Sequence, residues 1–81
     1  MSYVMIVDDD VNMAQAIADM VSLLDRETYV AHGPRQAILH LREAMPDLIL
    51  LDLNMGGVDG LEVCRYIKRD PAYGDTPVVF V

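Results

Sequence analysis

The 81-residue chain contains no tryptophan, one phenylalanine and a single cysteine, Cys64. A lone cysteine excludes an internal disulfide, so no covalent staple holds this small fold. Cys64 falls on the apolar face of a helical pattern and reads as a small buried hydrophobe in a reducing compartment. Positive charge is scarce: six Lys and Arg stand against 13 Asp and Glu, a formal charge of −7. Phosphate contacts need Lys and Arg, which argues against direct nucleic-acid binding by this chain. No basic segment precedes the N-terminal apolar run, and Asp8-Asp9-Asp10 stops it. That run is neither a signal peptide nor a membrane span, so the chain is expected to be cytoplasmic with no membrane partner. Glutamate is scarce as well, at three of the 13 acids. Aspartate favours caps, strand ends and metal sites over helix surfaces, so the acidity is partly a site signal. At 53% hydrophobic residues, the chain reads as one ordered domain rather than a disordered segment.

Four short apolar runs punctuate the sequence. Residues 3–7, 47–52 and 77–81 are continuous rather than alternating, as strands buried on both faces read, and residues 28–32, β-branched and aromatic, read as a further short strand. Three helical patterns separate them. Residues 11–25 carry Met13, Ile17, Met20, Val21 and Leu24 at three- and four-residue spacing, with Asp10 as N-cap. The methionines are expected to fill the core. Residues 35–45 place Ala37, Ile38, Leu41 and Met45 on one face, after Pro34 and before Pro46. Residues 60–69 turn Leu61, Val63, Cys64 and Ile67 inward, with Asp59 as cap. Between Asp52 and this helix lies a seven-residue loop with adjacent glycines, Gly56 and Gly57. The order βαβαβαβ implies right-handed crossovers and an α/β fold with a parallel sheet. All strand C-termini then share one edge, where such sheets hold ligands.

Asp8 and Asp9 follow the first strand, and Asp52 ends the third. If those strands are neighbours, their backbones lie about 5 Å apart and three carboxylates crowd one pocket. A hard divalent cation relieves that repulsion, and Mg²⁺ is satisfied by carboxylates, a carbonyl and water. No His or Cys cluster suggests zinc, and His32 and His40 stand alone. A carboxylate at the mouth of such a site can attack phosphorus to form an aspartyl-phosphate. The alternative for Asp8–Asp10 alone is a capped helix start with a solvated charge run.

Ile6-Val7-Asp8-Asp9-Asp10, Pro46 to Met55, Val58-Asp59-Gly60-Leu61-Glu62 and Thr76 to Val81 resemble the receiver domain of two-component response regulators. The likeness runs the whole chain, 1–81. It implies a flavodoxin-like doubly wound sheet in strand order 2-1-3-4. It implies that Asp52 is the phosphoacceptor, taking a phosphoryl group from a sensor histidine kinase or phosphotransfer protein. Asp9 matches the direct Mg²⁺ ligand, Asp8 the ligand acting through water, and Asn54 the position whose backbone carbonyl completes the metal site. No catalytic residue beyond Asp52 is implied.

Two departures accompany the likeness. Receivers usually have Pro where this chain has Gly56, which should loosen the loop after the metal ligand. A full receiver would also continue past the fourth strand with a further helix, strand and helix. Those carry a phosphate-sensing Ser or Thr and a Lys, both absent from these 81 residues. Lys68 lies at the far end of the third helix and cannot stand in. The chain therefore reads as a receiver truncated after its fourth strand, whose edge is expected to drive self-association. A second reading is a folding or oligomerisation unit with a silent site. A third is an aspartate-nucleophile phosphatase, but Asn54 stands where its general acid would be, and an amide cannot exchange that proton.

Overall fold

The computed structural model describes residues 3–81, apart from the side chain of Val58. Its elements run β1 (Tyr3–Val7), α1 (Val11–Ser22), β2 (Glu27–Ala31), α2 (Pro34–Leu41) and β3 (Leu48–Leu51). They continue with β4 (Asn54–Met55), β5 (Val58–Asp59), α3 (Gly60–Arg69) and β6 (Val78–Phe80). Four strands form one sheet in the order β2-β1-β3-β6, the 2-1-3-4 arrangement expected. Every pairing in it is parallel, with Met5 beside Tyr29 and Ile49, and Val7 beside Ala31 and Leu51.

The central strand β1 is buried along its whole length, which is why it shows no alternation. Its odd residues Tyr3, Met5 and Val7 join Ile49, Leu51, Val63 and Ile67 in one core. Its even residues Val4 and Ile6 pack with Ala14, Ile17 and Ala18 of α1 in a second core. The period of two along the strand thus divides the residues between two helical layers. At the N-terminal edge, His40 stacks on Tyr29 and meets Tyr3 edge-on.

Several helical expectations need correcting. Met13 and Met20 are 53% and 62% exposed, and Leu24 is exposed beyond the helix end. The buried arc of α1 is Ala14, Ile17 and Ala18, rotated by about one residue from the expected stripe. Alanine carries little weight in a hydropathy pattern, but its small side chain lets the helix sit close to the sheet. α1 also stops at Ser22, three residues early, and Asp25 follows at a positive φ of 61°. In α2 the helix closes at Leu41 rather than 45, and Met45 is exposed. Pro46 disfavours helical geometry at Met45, so the segment before it turns, with the amides of Glu43 and Ala44 both donating to the His40 carbonyl. Leu61, expected inward, is 45% exposed on α3. β6 is not buried as its apolar run implied. It ends the strand order with β3 as its one neighbour, and Val79 is 50% exposed.

The segment after Asp52 is not an open loop. Asn54 pairs with Asp59 and Met55 with Val58, antiparallel, around Gly56 and Gly57. Their φ values of 51° and 90° are both left-handed. That matches a type I′ turn, the tight two-residue connection that glycine suits best. Gly56 therefore tightens this segment where a looser loop was expected. Proline, locked near −65°, cannot adopt the observed φ.

Candidate functional site

Asp8 and Asp52 are placed by the sheet itself. The Asp8 amide donates to the Ala31 carbonyl at 3.0 Å, and the Asp52 amide donates to the Val7 carbonyl at 2.9 Å. Each bond extends a parallel ladder by one step, so both aspartates are fixed where β1 and β3 leave the sheet. Each side chain then turns its own chain. Asp8 Oδ1 accepts the Asp10 amide at 2.9 Å, and Asp52 Oδ1 accepts the Asn54 amide at 3.2 Å. Aspartate commonly makes such bonds two residues on, which explains why strands that end in Asp bend sharply there. Asp10 caps α1 by accepting the Met13 amide, as expected, and Asp59 caps α3 through the Leu61 amide.

Asp8, Asp9 and Asp52 offer carboxylate oxygens that all lie within 4.8 Å of one another. Asp8 is only 5% exposed, Asp52 is half-buried and Asp9 is exposed. Burial pushes the Asp8 carboxyl above the usual range; the Asp10 amide opposes this, and the neighbouring charge of Asp52 adds to it. Among the described residues, the ion pairs involve Arg26–Asp47, His40–Glu43 and Arg65–Glu62, and none reaches these three acids. An all-oxygen set of clustered, uncompensated carboxylates suits a hard divalent cation such as Mg²⁺.

The close supports are equally specific. The Gly60 amide donates to the Leu53 carbonyl at 2.9 Å. A Cβ on Gly60 would lie 2.5 Å from the Asp52 carbonyl oxygen and 2.8 Å from Leu53 Cα, so only glycine lets α3 start this close to the site. Asn54 lies in β4 with its amide tied to Asp52. His32, set aside on the sequence, sits closer than anticipated: its Nδ1 lies 3.3 Å from the Asp8 backbone carbonyl. It meets backbone, not the carboxylates. Lys68 is directed elsewhere, donating to the carbonyls of Gly74 and Thr76 in the loop before β6. Gly56, marked on the sequence as a departure in the loop after the metal ligand, lies against the site: a Cβ on it would be 3.1 Å from Asp9 Oδ2.

A family model described as the response regulator receiver domain matches residues 4–81. The chain belongs to the response regulator receiver family. This receiver chain is 38% identical over 79 residues to the transcriptional regulatory protein BaeR of Escherichia coli O6:H1, covering 96% of the chain and 31% of that protein. It is 36% identical over 67 residues to the DNA-binding response regulator MtrA of Mycobacterium tuberculosis, covering 83% of the chain and 29% of the relative. The N-terminal domain of a response regulator receiver protein from Methanoculleus marisnigri superposes with a TM-score of 0.91 at 30% identity. That match covers 99% of the chain and 65% of the solved domain. The receiver chain thus spans about a third of the length of the curated relatives it matches. Receivers are signalling modules of two-component systems, and the flavodoxin-like sheet agrees with that assignment. No helix among the described residues is long and apolar enough to cross a membrane.

Proposed function

We propose that Asp52 of this receiver accepts a phosphoryl group from the phosphohistidine of a sensor histidine kinase or phosphotransfer protein in the cytoplasm. The observation that carries this reading is the cluster of Asp8, Asp9 and Asp52 carboxylates within 4.8 Å at the C-terminal edge of the sheet. An Asp52 carboxylate oxygen forms the new O–P bond as the P–N bond to the donor imidazole breaks. The bonding pair stays on the imidazole nitrogen, which then takes a proton. Asp8, Asp9, Asp52 and the backbone carbonyl of Asn54 would hold Mg²⁺, which when bound neutralises charge on the phosphoryl oxygens. Asp8 and Asp52 hold their places through ladder hydrogen bonds, so the nucleophile is oriented before a donor arrives. Asp52 acts as a stoichiometric acceptor rather than as a turnover catalyst.

Incubation with acetyl phosphate and Mg²⁺ tests this directly. Intact-mass analysis should show the gain of one phosphoryl group on the wild-type chain and none on Asp52→Asn. Absence of the adduct, or its survival in Asp52→Asn, overturns the assignment.

The sheet edge supports a second element of the proposal: the 81-residue chain self-associates through β6. Among the described residues β6 pairs with β3 on one side, and Val79 and Phe80 in it and Val81 just after it are exposed. Unpaired strand amides and carbonyls beside apolar side chains template pairing with another strand. A monodisperse monomer in sedimentation at tens of micromolar refutes it.

A further inference from the structure

We infer that Gly56 is a positioning residue for the Asp9 carboxylate. The inference rests on reading the acidic cluster as a Mg²⁺ site. A Cβ built on Gly56 would lie 3.1 Å from Asp9 Oδ2, while one on Gly57 would meet nothing within 4 Å. The turn therefore comes up against the one exposed carboxylate of the three, close enough that an added Cβ at position 56 would make Asp9 give way. The turn is in turn anchored. Met55 beside it is buried in the core, and the hairpin pairs Asn54 with Asp59 at the mouth of the site.

An added methyl at position 56 would push Asp9 by a few tenths of an ångström. Asp9 is exposed and its side chain can yield, so the folded chain loses little by that movement. Mg²⁺ does not tolerate it as well, because it demands near-ideal octahedral geometry at short ligand distances. Stability and ion affinity should therefore respond differently to the same substitution.

The two glycines supply their own comparison. Both have positive φ, but +90° at Gly57 lies outside the left-handed well that +51° at Gly56 occupies, so Gly57→Ala imposes the greater backbone strain, yet only Gly56→Ala adds contact with Asp9. Mg²⁺ titration calorimetry on the full chain measures the ion, and circular dichroism with thermal unfolding measures the fold. The expected result is a loss of Tm at least as large in Gly57→Ala as in Gly56→Ala, yet with Mg²⁺ affinity reduced on the order of tenfold in Gly56→Ala and less than about twofold in Gly57→Ala. Equal loss of Mg²⁺ affinity in the two variants, or none in Gly56→Ala, overturns the inference while leaving the metal site standing. No Mg²⁺ binding by the wild-type chain overturns both.

Discussion

Replacing Gly60 by alanine should damage this protein more than its helical position suggests. Alanine is the better helix former, by up to about 1 kcal/mol in a helix interior. Gly60 opens α3, however, and its missing Cβ is where the backbone just beyond β3, at Asp52 and Leu53, passes. The new methyl would lie 2.5 Å from the Asp52 carbonyl oxygen, 2.8 Å from Leu53 Cα and 3.2 Å from the Asp52 carbonyl carbon. All three are backbone atoms, so no side chain can swing aside. Reaching ordinary contact means separating α3 from the strand end by about 1 Å. Overpacking of this kind costs about 1–3 kcal/mol, more than the propensity gain at a first-turn position. The hydrogen bond from the Gly60 amide to Leu53 is strained by the same movement. For a chain this size, that corresponds to a fall in Tm of roughly 4–24 °C. Urea unfolding followed by circular dichroism at one fixed chain concentration measures it, since self-association would make stability concentration-dependent. Gly33→Ala is the control. Gly33 is the N-cap of α2, with nothing within 4 Å of its Cβ; alanine caps less well there, so the change should cost about 0.5–1 kcal/mol without any overpacking. Gly60→Ala as stable as Gly33→Ala would refute the claim that glycine is required for this approach.

Asp8→Asn should raise the Tm of the chain in EDTA, because it removes a buried charge beside Asp52 while keeping an acceptor for the Asp10 amide. The same variant should lose the further stabilisation that Mg²⁺ gives the wild type; equal Mg²⁺ response in the two chains counts against the site. Burial, with a smaller contribution from Tyr29, pushes the Tyr3 phenol up to about 12. The unfolded phenol ionises near 10, so between pH 10 and 12 the unfolded chain releases a proton that the folded chain keeps. Stability should therefore fall as pH rises through that window, by about 2 kcal/mol, and Tyr3→Phe should flatten the slope. Lys68→Met removes the bonds to the Gly74 and Thr76 carbonyls and should cost about 1 kcal/mol with Mg²⁺ affinity unchanged. A rise in Mg²⁺ affinity would mean that Lys68 reaches the acidic edge, where its ammonium would compete with the cation.

The strands and the acidic edge were legible in the sequence because both depend on local signals. A strand buried on both faces must be continuously apolar, as β1 is, and an aspartate ending such a run is carried to the sheet rim wherever the strand lies. Asp10 and Asp59 capped their helices as expected because capping involves neighbours two or three residues away. Strand alternation with helices restricted the topology to a parallel sheet, and the placement of Asp8 and Asp52 on one edge followed.

The tertiary structure decided what depends on distant neighbours. Met13 and Met20 have the hydropathy of core residues, yet the seating of α1 on β1 kept Ile17 inward as expected and put Ala14 and Ala18 beside it in place of the methionines. Gly56 and Gly57 permit many backbone angles, so their sequence could not distinguish a slack loop from a type I′ turn; pairing of Asn54 with Asp59 selected one. Three aspartates are chemically alike on paper. Packing buried Asp8, half-buried Asp52 and left Asp9 exposed against the turn at Gly56, and in doing so gave identical side chains different electrostatic surroundings.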